Sequence, residues 1–215
     1  LSRHMDFAFD SRTYELLEQL ESFLEECVLP AEPVAAEQRA RQSDPWATPP
    51  VVEGLKAEAR RRGLWNLFLP DSPHGAGLSN LQYAPLAELL GRSPQLAPTA
   101  VNCAAPDTGN MEVLALFGSE EQRRRWLEPL LAGEIRSAFA MTEPEVASSD
   151  ATNIRTRIER QGDEYVINGR KWYISGAMHP DCAVFIVMGQ TDPHHPDPRR
   201  RQSMVLVPRD TPGVE

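Results

Sequence analysis

The sequence is poor in the residues that build disulfide frameworks, metal sites and nucleic-acid interfaces. Its three cysteines, Cys27, Cys103 and Cys182, are far apart and form no C-x-x-C pair, so neither a disulfide scaffold nor a zinc site is indicated. The histidines lack helical i,i+4 partners, and we expect no metal. Thirty-one acidic against 22 basic residues give a net charge of -9, which argues against a nucleic-acid partner.

Long apolar runs are also missing, so the sequence predicts no membrane span. The first residues, "LSRHM", carry charge but no apolar stretch, and we interpret 1–5 as vector-derived residues before a native start near Met5 or Asp6. With no targeting segment visible and no disulfide pattern, we expect a bacterial-type cytoplasm or an organelle matrix. The 215 residues, 41% of them hydrophobic, can build one large or two modest domains.

The hydrophobic period is helical up to about residue 135. Apolar residues recur at three and four from Leu16 to Cys27 after a cap at Asp10 or Ser11, which predicts an amphipathic helix that ends before Pro30. Pro85 either kinks its helix or marks its true start. Further helices are predicted over 31–42, 50–62, 79–91, 107–117 and 119–131.

After Gly133 the pattern becomes that of strands. Runs rich in β-formers occur at 155–160, 164–167, 171–175 and in "CAVFIVMGQ" and "SMVLVPR", and Asn168-Gly169 between two of them predicts a hairpin turn. The fold class is therefore α+β, with an N-terminal all-helical domain over 6–135 and a β-barrel or sandwich domain over 136–215. Since "VLVPRDTPGVE" stops after a turn, we interpret the β domain as truncated.

The switch between the two patterns holds the stretch "FAMTEPEVASSDATN", residues 139–153. Thr142 can donate and accept hydrogen bonds, and Pro144 removes a backbone donor. Ser148, Ser149 and Asp150 suit either a helix cap or contact with a phosphate or the edge of a heterocycle. The composition alone is equally typical of an ordinary capped turn.

The order of motifs adds a resemblance. "MTEP" at 141–144, the following Ser149-Asp150, and "GDEYVINGRKWYISGA" at 162–177 closely resemble the acyl-CoA dehydrogenases. "GLWNLFLP", "GAGLSN", "LGRS" and "PDTGNMEVL" upstream resemble the same family, especially its member-ten and member-eleven subgroup. The resemblance runs from about residue 7 to the end and implies a third, C-terminal helical domain, absent here.

What the resemblance implies is an FAD site. The flavin edge that carries N5 and O4 would be faced by Phe139, Ala140, Met141 and the Thr142 hydroxyl. The pyrophosphate and the thioester would be faced by Ser148 and Ser149. The flavin ring would be covered by Tyr173, Ile174 and Ser175. Trp172 is the alternative to Tyr173 for stacking, since strand neighbours point to opposite faces. Ser149 and Arg199 would contact substrate. The loop "TEPEVASSD" is one residue longer than in many relatives and has no glycine.

The implied reaction is FAD-dependent α,β-dehydrogenation of an acyl-CoA to the trans-2-enoyl-CoA, as in fatty-acid β-oxidation, with electrons passed to an electron-transfer flavoprotein. The catalytic base is expected in the absent C-terminal domain, so no residue here is nominated and the 215-residue chain alone is expected to be inactive. The full-length protein would form a homodimer or homotetramer. Alternatives are an acyl-CoA oxidase, a flavin monooxygenase, or a non-catalytic flavin or CoA binding protein.

Overall fold

The computed structural model describes residues 8–70 and 74–215. The interpretation of residues 1–5 as vector-derived lies outside the described residues. The chain divides into two compact units, with the division between Thr108 and Gly109. The domain border at 135/136 was inferred from the change of period, and it stays a prediction. No helix in the described ranges is long and apolar enough to span a membrane.

The helical part is built from eight α-helices in the described residues. In chain order they are α1 Ser11–Phe23, α2 Leu29–Arg41, α3 Val51–Arg61, α4 Asn80–Leu90, α5 Ala97–Ala100, α6 Asp107–Phe117, α7 Glu120–Gln122 and α8 Glu128–Ala132.

The predicted end of the first helix before Pro30 is wrong. The chain stays helical from α1 to α2 through a wider π-helical turn at Leu24–Val28, where the Leu29 N–H bonds to the Leu24 carbonyl. Pro30 has no N–H and cannot donate an α-helical hydrogen bond. The wider π-turn before it allows the helix to continue without that bond. A second π-turn, Arg123–Leu127, precedes Pro129 in the same way.

Capping residues fix the starts of several helices. The Asp10 side chain accepts from the Thr13 N–H, as predicted for α1. Ser79 forms a capping box with Gln82 at the start of α4, which satisfies two backbone donors. Pro85 therefore lies inside α4 and does not begin it. The first unit is held by fully buried side chains that include Leu20, Phe23, Leu24, Leu64, Leu78 and Leu86.

The second unit contains a mixed five-stranded sheet. Its strands are β1 Arg136–Ala140, β2 Arg157–Gln161, β3 Glu164–Asn168, β4 Cys182–Gln190 and β5 Gln202–Pro208. The order is β1-β4-β2-β3, and β5 also pairs with β4. β4 runs parallel to β1 and antiparallel to β5. The predicted α+β class, helices followed by strands, is confirmed.

Helix α6 is tied to this sheet by a buried polar contact. The Asn110 amide donates to the Ser137 hydroxyl of β1 at 2.8 Å, so two buried polar groups satisfy each other. Met111 and Leu114 of the same helix are buried with Leu127, Leu130 and Ile154. The start of β1 is thus fixed to α6 by this hydrogen bond.

The predicted hairpin at Asn168-Gly169 is wrong. The hairpin joins β2 to β3, with Gln161 opposite Glu164, and its two-residue turn is Gly162-Asp163 with Gly162 at φ 65°. Residues 171–175 form no strand. The Gly-Asp pair is itself a hairpin signal, although Asn-Gly, six residues later, is the stronger one by sequence.

Candidate functional site

Two segments of the second unit lie side by side: the loop that leaves β1 and the loop that leaves β3. The Thr142 hydroxyl donates to the Trp172 carbonyl at 2.7 Å, and the Trp172 N–H donates to the Thr142 carbonyl at 3.1 Å. The structure therefore brings together the two motifs that the sequence placed 30 residues apart.

A buried ion pair beneath this contact joins the same segments. Lys171 Nζ lies 2.9 Å from Glu143 Oε1 and 2.8 Å from the Met141 carbonyl oxygen. The Glu143 side chain is 3% exposed and that of Lys171 11%. Burial of two charges costs free energy unless further hydrogen bonds satisfy them, and the surroundings supply those bonds.

Glu143 accepts from three more donors. The Arg155 N–H bonds to Oε2 at 2.7 Å, and the Thr156 N–H and hydroxyl bond to Oε1 at 2.8 and 2.5 Å. Burial alone raises the pKa of the Glu143 carboxyl, but the Thr156 hydroxyl, Lys171 and the two backbone N–H groups outweigh it and lower the pKa to about 2. Burial lowers the pKa of Lys171, and its bond to Glu143 opposes that shift.

Gly169 explains why the Asn-Gly pair is present although it makes no hairpin. A Cβ on Gly169 would collide with the side chain of Thr156. The backbone thus passes directly over the threonine that binds Glu143, and only glycine permits that approach. Sequence reasoning missed Glu143, Thr156 and Lys171. The spacing of Gly169 and Lys171 within the family motif was the available signal.

The polar residues of the first loop divide into inward and outward positions. Ser148 is buried; its hydroxyl accepts from the Glu143 N–H at 2.5 Å and closes the loop. Ser149 is exposed. The Asp150 carboxylate caps the short 3-10 turn Ala151–Asn153 by accepting from the Thr152 N–H. Of the two interpretations of this polar stretch, helix cap or ligand contact, the helix cap is therefore confirmed for Asp150.

The aromatic residues of the second loop are open to solvent. Trp172 and Tyr173 are 44% and 84% exposed, and their ring centroids lie 4.6 Å apart at 44°. Tyr173 has φ 51°, an uncommon backbone conformation for a bulky residue. The premise of strand alternation between these two side chains is wrong, because the segment is a loop. Ile174 is half-buried and Ser175 is exposed.

The remaining predicted flavin-edge residues belong to the end of β1. Phe139 is half-buried, Ala140 is buried and Met141 is half-buried. Phe139 and Ala140 pair with Ile186 and Val187 of β4. The strand therefore delivers Met141 and Thr142 to the edge of the sheet in a fixed register.

Arg199 lies near the first loop although 50 residues separate them. It occupies an exposed 3-10 turn, Pro198–Arg200, that contacts the turn after Asp150. The pKa of Asp150 is lowered, first by the Thr152 hydroxyl and N–H and in smaller part by the charge of Arg199. Ser149 and Arg199, the two predicted substrate contacts, therefore belong to one exposed surface.

Comparison with known proteins identifies the family of this fold. The chain belongs to the acyl-CoA dehydrogenase family: residues 12–134 match the family's N-terminal domain model, and residues 138–215 match its middle domain model. The family resemblance stated from the motifs is confirmed.

Individual relatives agree with this assignment. The chain is 55% identical to the acyl-CoA dehydrogenase FadE2 of Mycobacterium tuberculosis, over 98% of this chain and 51% of that protein. It is 50% identical to acyl-CoA dehydrogenase family member 11 of Mus musculus, over 97% of this chain and 27% of that protein. The chain thus spans about half or less of the length of these curated relatives.

Two solved structures extend the comparison. An acyl-CoA dehydrogenase structure from Mycobacterium abscessus has a TM-score of 0.90 and 54% identity, covering 96% of this chain and 52% of that chain. A glutaryl-CoA dehydrogenase from Mycobacterium smegmatis, solved in complex with FADH2, has a TM-score of 0.70 and 26% identity, with 95% and 47% covered. FAD in its reduced form is thus a ligand of a solved relative.

Proposed function

We propose that the loops 141–150 and 171–175 form the flavin edge of an FAD-dependent acyl-CoA dehydrogenase. The observation that carries this proposal is the direct hydrogen bonding of Thr142 to Trp172, which joins the two family motifs at the open end of β1. FAD, when bound, supplies the acceptor for the hydride that leaves the acyl chain.

The groups present suit a flavin. Among residues 8–70 and 74–215, no group accepts from the Thr142 N–H, so this donor is available to a ligand. Trp172 and Tyr173 offer exposed aromatic faces beside it. A heterocycle with acceptor atoms at its edge satisfies such a donor and covers such faces. We assign Phe139, Ala140, Met141 and Thr142 to the ring edge and Tyr173, Ile174 and Ser175 to the ring face.

Ser148 and Ser149 have different parts in this proposal. The Ser148 hydroxyl closes the loop on the Glu143 N–H, so Ser148 contributes to the pyrophosphate side by shaping the backbone. Ser149 is exposed and offers its hydroxyl to the CoA thioester or pantetheine. Arg199, on the same surface, supplies a guanidinium that suits a CoA phosphate.

The reaction is α,β-dehydrogenation of an acyl-CoA, with an electron-transfer flavoprotein as the acceptor of electrons. The chain's own residues orient the cofactor and the CoA, and no residue of this chain is assigned as the base that removes the α-proton. A thioester α-proton becomes acidic enough only when the carbonyl oxygen is hydrogen-bonded and the base is desolvated. Both conditions require a closed site around the loops described above.

The test is an anaerobic titration of the protein in the full length that its gene encodes. The protein is saturated with FAD, its visible spectrum is recorded, and acyl-CoAs of increasing chain length are added. We expect stoichiometric FAD and bleaching of the flavin band by one chain class. A protein without flavin absorbance in excess FAD contradicts the proposal. Stoichiometric peroxide in air, without reduction of an electron-transfer flavoprotein, assigns it to the oxidases.

Tyr173→Ala and Trp172→Ala distinguish the two aromatic residues in the same assay. Tyr173 is the more exposed of the two, so more of its ring surface is open to a ligand. We expect Tyr173→Ala to weaken FAD binding about tenfold, on the scale of a lost aromatic stacking contact, and Trp172→Ala to weaken it less. The reverse order of the two dissociation constants would assign stacking to Trp172.

A further inference from the structure

The buried pair Glu143–Lys171 controls the direction of one backbone group at the flavin edge. Lys171 Nζ donates to the Met141 carbonyl at 2.8 Å. In a planar trans peptide, the carbonyl of one residue and the N–H of the next point to opposite sides. Since Lys171 draws the Met141 carbonyl toward the buried Glu143, the Thr142 N–H is directed away from the ion pair.

The Thr142 hydroxyl cannot replace that N–H as a donor. A hydroxyl has one proton, and the structure commits this proton to the Trp172 carbonyl at 2.7 Å. The oxygen retains lone pairs, so it can accept from a ligand but not donate to one. A hydrogen bond from Thr142 to an acceptor atom of the flavin therefore comes from the backbone N–H, not from the hydroxyl expected from the motif.

Several further contacts hold the pair in place. Glu143 accepts from Thr156 and the Arg155 N–H as well as from Lys171, and Gly169 brings the backbone before Lys171 directly against Thr156. Movement of Lys171 away from Met141 would leave a buried carboxylate without its countercharge. The direction of the Thr142 N–H is thus built in before any ligand arrives.

We propose that Glu143 and Lys171 are positioning residues that preorganise the Thr142 N–H as the hydrogen-bond donor to the flavin edge. This inference rests on the proposed FAD site and adds to it two residues that do not touch the cofactor. Preorganised donors retain binding energy that a mobile loop would lose in ordering.

The experiment compares Lys171→Met with the double variant Glu143→Gln/Lys171→Met in the full-length protein. The single variant leaves an unpaired buried carboxylate and lowers both thermal stability and FAD affinity. The double variant removes the buried charge, so thermal stability returns toward that of the parent, but the Met141 carbonyl still lacks its anchor. We expect its FAD dissociation constant to stay about five- to tenfold above the parent's, the scale of one backbone hydrogen bond.

Flavin spectra and reduction potentials of each FAD-loaded variant provide a readout that stability alone does not move. Lys56→Met is the matched control, because Lys56 is also buried and paired with a glutamate, Glu53, at 2.7 Å, but has no part in the proposed site. We expect Lys56→Met to leave the flavin spectrum and potential unchanged.

The outcomes separate the two proposals. If the parent protein binds FAD and the double variant recovers thermal stability, FAD affinity and spectrum together, Glu143 and Lys171 are only structural and the positioning role is wrong. If the parent protein does not bind FAD at all, the proposed function itself fails. A double variant that is stable, binds FAD weakly and has an altered flavin spectrum supports the positioning role.

Discussion

Replacement of Gly169 by alanine tests the close approach on which the site depends. A Cβ at this position would lie closer to three atoms of the Thr156 side chain than real Cβ atoms come. Thr156 is 2% exposed, and the close packing of protein interiors leaves a buried side chain little room to move. The added methyl group must therefore displace either the backbone of the 169–171 segment or the threonine.

Each response has a cost that can be estimated. Displacing the backbone is an overpacking error of about 1–3 kcal/mol. Rotating Thr156 removes its hydroxyl from the Glu143 carboxylate, and losing a hydrogen bond to a charged group costs about 1.5–3 kcal/mol. We expect a loss of about 2 kcal/mol, which lowers the unfolding midpoint of a chain of this size by about 4–8 °C.

Differential scanning calorimetry of the parent and the variant measures this shift. Gly109→Ala is the control in the same unit: Gly109 lies in helix α6, and a Cβ there meets nothing within 4 Å. Since alanine favours a helix over glycine by about 0.5–1 kcal/mol, Gly109→Ala is expected to keep or raise the midpoint. A Gly169→Ala midpoint equal to the parent's would refute the close approach.

Three further predictions concern charge and thiol chemistry. Because the pKa of Glu143 falls from 4.5 to about 2 on folding, its ionised form stabilises the protein by about 3 kcal/mol above pH 4.5, and this stabilisation is lost as the pH falls toward 2. Measured by urea unfolding, the free energy of unfolding of Glu143→Gln should therefore fall less between pH 4.5 and pH 2 than that of the parent. Arg199→Ala should raise the KM for acyl-CoA up to about fivefold at low salt, and Arg200→Ala should not. A thiol reagent should modify half-buried Cys27 before buried Cys182 and before Cys103, whose pKa burial raises to about 11.

The fold was predictable wherever one strong local signal governed each element. The cap at Asp10 located the start of α1, and the change of period indicated where helices give way to strands. The π-turn before Pro30 was not predictable in this way, because a proline after an amphipathic pattern usually indicates the end of a helix. A helix can also continue past the missing N–H by way of one wider π-turn, as it does at Leu24–Val28.

The order of the motifs singled out the two loops that lie together in the structure, but it did not predict their hydrogen bonding. Glu143 binds partners at residues 155, 156 and 171, and no local rule links positions 12 to 28 residues apart. The Asn-Gly pair gave a wrong prediction for the same reason. Its glycine is required because the backbone passes against the Thr156 side chain, which is distant in sequence, and not because the chain turns there. Local propensity is a weak guide where a distant backbone comes within contact.

The hydroxyl groups that first suggested a ligand site have mostly structural uses, and the charged pair that sequence reasoning missed holds the two loops together. The Ser148 hydroxyl accepts a hydrogen bond from the Glu143 N–H, and the Thr142 hydroxyl donates one to the Trp172 carbonyl. The donor that Thr142 can offer a ligand is its backbone N–H, and Lys171 of the Glu143–Lys171 pair binds the carbonyl of the same peptide, that of Met141. Lys171→Met keeps every hydroxyl of the loop, and it should therefore raise the FAD dissociation constant more than Ser149→Ala does.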